Sequence, residues 1–114
     1  MNRVPTLAMV AGLFAFSFSS GAQAAYISCH PYGNGTGRMA SRGTPNPQGL
    51  PVVAHKTLPF GTIVRFQNAY ASVDAIVKDR GPYYGKREYD LDCGAMQRLH
   101  IDGVGNVRTL ILGR

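Results

Sequence analysis

The stretch Thr62-Ile63-Val64-Arg65-Phe66-Gln67-Asn68-Ala69-Tyr70-Ala71-Ser72-Val73-Asp74-Ala75-Ile76-Val77-Lys78 alternates apolar and polar residues on either side of a short break. From Thr62 to Gln67, Val64 and Phe66 share one face while Arg65 and Gln67 share the other; in the second run Val73, Ala75 and Val77 fall together. A period of two is the pattern of a strand with one buried face. Asn68 to Ser72 then reads as a hairpin loop. Working outward, Val107 to Leu112 is a third β-rich run and Ala25 to Cys29 a first short strand. One segment alone has helical spacing: Asp92 is placed to cap it, Ala95, Met96 and Leu99 fall on one face, and Gly103 lies a little beyond its end. Short strands broken by Gly and Pro, with a single short helix, predict a mainly β chain closed into a small barrel.

The first 24 residues have a different texture. Arg3 supplies a positive start, Leu7 to Phe18 an apolar run, and Ala22-Gln23-Ala24 a small-residue cleavage site, which together read as a secretory signal peptide over 1–24. The apolar run is short of the roughly 20 residues a membrane helix needs. No stable membrane insertion of the remainder is expected. Cys29 follows Tyr26-Ile27-Ser28, a poor match to a lipid-attachment site.

Residues 25–114 then form one domain, too short for a second core. Two cysteines, Cys29 and Cys93, lie near its two ends. In an oxidising compartment pairing is the natural reading, the alternative being two small core residues. No metal site is expected, because tetrahedral zinc needs four ligands and only His30 lies near either cysteine. No cofactor is expected either. Without Arg3, eleven Lys and Arg stand against six Asp and Glu, so residues 25–114 carry a net charge of +5. A basic exported domain suits an acidic polymer of the envelope, peptidoglycan among them. Nucleic acid is not an expected partner, since the basic residues are scattered and export removes them from it. A barrel of this size is expected to be a monomer.

Two clusters carry candidate chemistry. In Ala54-His55-Lys56-Thr57-Leu58-Pro59-Phe60-Gly61 a histidine sits in a polar stretch just before a strand. In Lys78-Asp79-Arg80-Gly81-Pro82-Tyr83-Tyr84 a carboxylate ends an apolar strand and a Gly-Pro turn follows. An acid at a strand end, next to a rigid turn, is placed to project into a cleft. Composition alone leaves open a structural histidine at 55 and a turn-capping or Arg80-paired acid at 79. Tyr83 and Tyr84 are placed either to stack on sugar rings or to pack on the barrel. Asp90 reads as a loop-holding acceptor or a substrate contact, and His100 as a partner of free helix carbonyls. Lys56, Lys86 and Arg87 read as a solvated basic rim.

From about Tyr32 to Leu112 the chain resembles the rare lipoprotein A (RlpA) family of double-psi β-barrels and, more distantly, expansins. Three strings carry the resemblance in order and spacing: Ala54 to Thr62, Val77-Lys78-Asp79-Arg80-Gly81-Pro82-Tyr83, and Arg87-Glu88-Tyr89-Asp90-Leu91. It implies a six-stranded, pseudo-symmetric barrel with one short helix, and a groove containing His55, Asp79 and Asp90. It also implies action on the glycan strands of peptidoglycan, some members being lytic transglycosylases that cut the MurNAc–GlcNAc bond. On that reading Asp79 and His55 are the catalytic pair, and Tyr83, Asp90, Thr44 and Arg80 contact substrate. The alternative the sequence carries is a non-catalytic, expansin-like module that grips glycan without cutting it. That alternative rests on Thr44, which stands eleven residues before His55 where transglycosylase members have a Glu; no Asp or Glu occurs between Ala25 and Tyr70. Tyr89, where an aliphatic residue is usual, and Cys93 are two smaller departures.

Overall fold

A computed structural model describes residues 21–33, 39–41 and 43–114. The positive start and apolar run of the expected signal peptide, and Arg42 of the segment leading to Thr44, lie outside the described residues.

The alternating runs form the strands they predict. β1 spans Gln23–His30, β2 Val52–Ala54, β3 Ile63–Gln67, β4 Ser72–Asp79 and β5 Tyr89–Asp92; α1 spans Cys93–Arg98 and β6 Val104–Gly113. The six strands close into a barrel in the order β1-β5-β2-β4-β3-β6. β3 and β4 are the expected antiparallel hairpin, with Phe66 opposite Val73 and Val64 opposite Ala75. Outside the barrel, the register pair Arg65 and Asp74 forms a two-pronged ion pair of 2.8 and 3.1 Å. Two pairs run parallel, β1 with β5 and β2 with β4, and the remaining neighbours are antiparallel. This is the mainly β, six-stranded double-psi barrel with one short helix that the resemblance implies.

Alternation fills the interior. Ile27, Val53, Val64, Phe66, Val73, Ala75, Val77, Tyr89, Leu91 and Val107 are buried together, and Ala95 and Met96 of α1, with Leu99 at its C-cap, close the cluster. At about 25 cal/mol per Å² of apolar surface removed from water, a fully buried side chain such as Phe66 contributes roughly 1.5–3 kcal/mol. Asp92 caps α1 as expected, its carboxylate accepting from Ala95 N–H. In β6, Gly105 allows close packing: a Cβ there would lie 2.7 Å from Cγ2 of Ile101.

Two strands are hard to read from local pattern. All three residues of β2 are buried, so a period of two is invisible, and β5 alternates buried Tyr89 and Leu91 with Asp90 and Asp92 over only four residues. Both are fixed by their neighbours instead. Ala54 is in register with Asp79 of β4 on one side and with Asp90 of β5 on the other.

Cys29 and Cys93 are bonded, joining the end of β1 to the start of α1. β1 begins two residues before the expected cleavage point: Gln23 pairs with Thr109 and Ala24 with Arg108. No helix among the described residues is long and apolar enough to cross a membrane.

Candidate active site

The shared register of Ala54 sets the site. Because β2, β4 and β5 lie side by side there, Asp79 and Asp90 flank the residue that precedes His55. His55 N–H donates to the Asp79 carbonyl at 3.2 Å, so acid and imidazole leave two adjacent strand ends that are joined through the backbone.

Asp79 is held at both carboxyl oxygens. Tyr32 Oη donates to Oδ2 at 2.9 Å and Ala40 N–H to Oδ1 at 3.0 Å. The next backbone bond, Ser41 N–H to the Lys78 carbonyl at 3.0 Å, lays the segment containing Ala40 along the end of β4. Asp79 forms no salt bridge with Arg80. The Arg80 guanidinium instead donates to the carbonyls of His55 and Leu58, at 3.2 and 2.9 Å, and lies 3.9 Å from the centroid of the Phe60 ring. It braces the loop that carries His55.

His55 is a half-buried imidazole with a defined proton position. Its Nδ1 accepts from Thr57 N–H at 3.1 Å and Leu58 N–H at 3.0 Å. An Nδ1 that accepts requires the proton on Nε2, which leaves Nε2–H as the donor. Burial holds the ring below the ordinary histidine pKa, and the positive charges of Lys56 and Arg80 push the same way. The neutral form is therefore favoured. The ring packs 4.8 Å from Tyr89, which meets Phe66 edge-on at 5.1 Å. Tyr89, the departure from the usual aliphatic residue, thus gives His55 a floor that continues into the core. Burial, reinforced by the charge of Glu88, pushes the Tyr89 phenol up to about 12.

Asp90 stands on a strand rather than in a loop. Its Oδ1 accepts from the hydroxyl of Ser28 at 3.0 Å, its register partner across the parallel β1–β5 pair, and not from loop amides. Tyr83 is exposed and so is Tyr84, over whose ring the Arg87 guanidinium lies at 4.8 Å. Lys56 Nζ donates to the Arg87 carbonyl at 3.2 Å, bridging the two loops around the site. Gly81 turns the chain between Arg80 and Tyr83 with φ of 116°, a conformation that side chains disfavour.

Thr44 lies elsewhere. It lines a depression of about 390 Å³ with Pro45, Leu50, Phe60, Gly61 and Ile76, and Asp79, His55 and Asp90 are not among the lining residues. Phe60 joins the two regions, since Arg80 packs on its ring. The structure thus brings His55, Asp79, Arg80 and Asp90 together, leaves Tyr83 exposed beyond the Gly81 turn, and sets Thr44 apart. His100 N–H donates to the Gln97 carbonyl at the end of α1 at 3.0 Å, and its ring stacks on Tyr70 at 4.2 Å.

Sequence reasoning missed Tyr32, which entered only as the start of the stretch that resembles the family. The signal is faint, because its partner Asp79 is 47 positions away. The Tyr32 ring lies 4.6 Å from His30, and its N–H donates to Asp92 Oδ1 at 3.1 Å.

A double-psi barrel with a carboxyl and a neutral imidazole on adjacent strand ends is the class that fold and site define. No family model matches the chain. It is similar to the probable endolytic peptidoglycan transglycosylase RlpA of Synechocystis, 42% identical over 81 residues that make up 67% of this chain and 25% of that protein. The protein of the same name from Nostoc is 40% identical over 92 residues, 73% of this chain and 24% of the relative. The endolytic peptidoglycan transglycosylase RlpA of Campylobacter jejuni is 36% identical over 87 residues, 72% and 32% of the respective chains. On these alignments the chain belongs to the RlpA-like family. It spans only a quarter to a third of the length of these relatives.

Proposed function

We propose that this barrel is an exported lytic transglycosylase that cleaves the MurNAc–GlcNAc bond of peptidoglycan glycan strands, with Asp79 as its acid and base. The observation that carries the reading is the backbone bond from His55 N–H to the Asp79 carbonyl, which sets acid and histidine on adjoining strand ends, in a chain whose relatives are named for that activity.

A single carboxyl group suffices for this reaction. Hydrolysis of a glycoside uses two, one to protonate the leaving oxygen and one to handle water or a covalent intermediate. In a lytic transglycosylase the muramyl 6-hydroxyl attacks its own anomeric carbon. The C–O bond to the leaving sugar breaks as the new 1,6-anhydro bond forms. The proton Asp79 gives to the leaving oxygen is replaced by the one it takes from the 6-hydroxyl, so the acid is restored without water. Each Asp79 oxygen has one bound donor, which leaves a lone-pair position on each for exchange with glycan. His55 donates from Nε2 to a sugar oxygen, Arg80 holds the His55 loop in place, and exposed Tyr83 offers a ring face to the strand. Asp90 keeps the β1–β5 end in register with the site, and Thr44 contacts glycan at the neighbouring depression.

The chain acts in the cell envelope after removal of residues 1–24, as a monomer and without stable insertion in the membrane. Cleavage before Ala25 retains the register pairs from Ala25–Val107 to Ser28–Val104. Purified peptide-free glycan strands incubated with residues 25–114 are expected to yield 1,6-anhydromuramyl ends by mass spectrometry. Reducing ends that have gained water, or uncut strands, count against the proposal. Uncut strands that still pull down the protein favour the gripping module.

A further inference from the structure

Three carboxylates, Asp79, Asp90 and Asp92, gather around one phenol. Tyr32 Oη bonds Asp79, Tyr32 N–H bonds Asp92, and the charges of all three act on the phenol. The ring is buried, with 8% of its surface exposed, and His30 packs against it. Its place is fixed from two sides. Three residues earlier Cys29 is bonded to Cys93, and Asp92, which accepts the Tyr32 amide, directly precedes that cysteine.

We infer that Tyr32 is a positioning residue for Asp79: its phenol and the Ala40 amide clamp the two carboxyl oxygens and fix the plane of the acid at the end of β4. The inference deepens the proposed transglycosylase reading and rests on it for its catalytic consequence. A carboxyl at a strand end otherwise rotates about two side-chain bonds, and a displacement of about 1 Å at a reacting group is enough to cost on the order of a hundredfold in rate. The donor is also constant. Burial, followed by the hydrogen bond to Asp79 and the charges of the three carboxylates, raises the phenol far above the ordinary tyrosine range, so the hydroxyl keeps its proton wherever the barrel is folded. Because the disulfide and Asp92 hold the backbone of Tyr32, the clamp belongs to the β1–α1 corner and not to the loop containing His55.

Tyr32→Phe removes the hydroxyl and keeps the ring. Hα–Hβ scalar couplings of Asp79 by NMR, without glycan, are expected to report one rotamer in the wild type and averaging in Tyr32→Phe. On glycan strands the variant is expected to lose about tenfold in kcat with KM unchanged, the size of one hydrogen bond to a charged acceptor. Averaging in the wild type, or a single retained rotamer in the variant, overturns the inference. A raised KM with unchanged kcat also overturns it, because Tyr32 would then be contacting substrate. If the wild type releases no anhydro product, the transglycosylase reading fails and the couplings alone decide the clamp. If Tyr32→Phe does not fold, 13C-labelled tyrosine in Asp79→Asn decides: the Tyr32 ring-carbon shift next to the hydroxyl is expected to move at neutral pH as its charged acceptor is lost, and an unchanged shift overturns the contact.

Discussion

His55 shows how few atoms set the state of a candidate catalytic group. Two backbone N–H groups occupy Nδ1, and burial with two nearby cations disfavours the charged ring, so tautomer and charge follow from the loop between β2 and β3. A depressed histidine pKa has a definite linkage sign. Above the unfolded value of about 6.5 the ring is neutral in both states and its contribution to stability is fully present. As the pH falls below that value the unfolded chain takes up the proton first, and the contribution is lost as the pH passes through the lowered folded value. His55→Gln is therefore expected to lose less stability than the wild type between pH 7.5 and pH 4.5, compared by urea midpoints at each pH; parallel losses would contradict the account of His55. Neither Tyr32 nor the true role of Arg80 was legible at this scale. Proximity along the chain suggested an Arg80–Asp79 pair, whereas the β2–β4 register turns the guanidinium toward the His55 loop.

Among the elements, legibility follows burial pattern. β3 and β4 bury one face each and reveal themselves by alternation, and α1 is marked by its Asp92 cap. β2 is buried throughout and so has no alternation, and β5 alternates for only four residues, too short a run to stand out; only the resemblance of their surrounding strings implied six strands. Yet β2 and β5 organise the site, because Ala54 is the residue between Asp79 and Asp90. The Cys29–Cys93 bridge was legible as a possibility from cysteine count and expected export. It closes a separation of 64 residues, for which chain entropy of the unfolded state gives about 4 kcal/mol. Replacing both cysteines with Ser is expected to lower stability by up to about that amount in urea denaturation, and reductant is expected to lower the wild type alike while leaving the variant unmoved. Equal midpoints for wild type and variant would show that the β1–α1 corner holds without its bond.

For the molecule as a whole, closure of six strands lets a short chain build a rigid end from segments far apart in sequence: Tyr32 from beyond β1, His55 from beyond β2, Asp79 from β4 and Asp90 from β5. The fold class was readable from pattern, and the Asp79 and His55 positions from their strings. Their mutual geometry was not, because it depends on parallel pairings that leave no local trace. Export adds a prediction at this scale: intact mass of the protein recovered from the cell envelope is expected to match residues 25–114 with two fewer hydrogens than the reduced chain. A mass that retains the first 24 residues would contradict cleavage before Ala25. The central claim is that one carboxyl, Asp79, both gives and takes the proton in glycan cleavage. It is tested most directly by comparing 1,6-anhydromuramyl product release from peptide-free glycan by the wild type and by Asp79→Asn, with pull-down on insoluble peptidoglycan measured beside it. The account predicts product from the wild type and at least a hundredfold less from Asp79→Asn, on the order of the contribution of a general acid and base, with pull-down retained. Product formed at the wild-type rate by Asp79→Asn would contradict it.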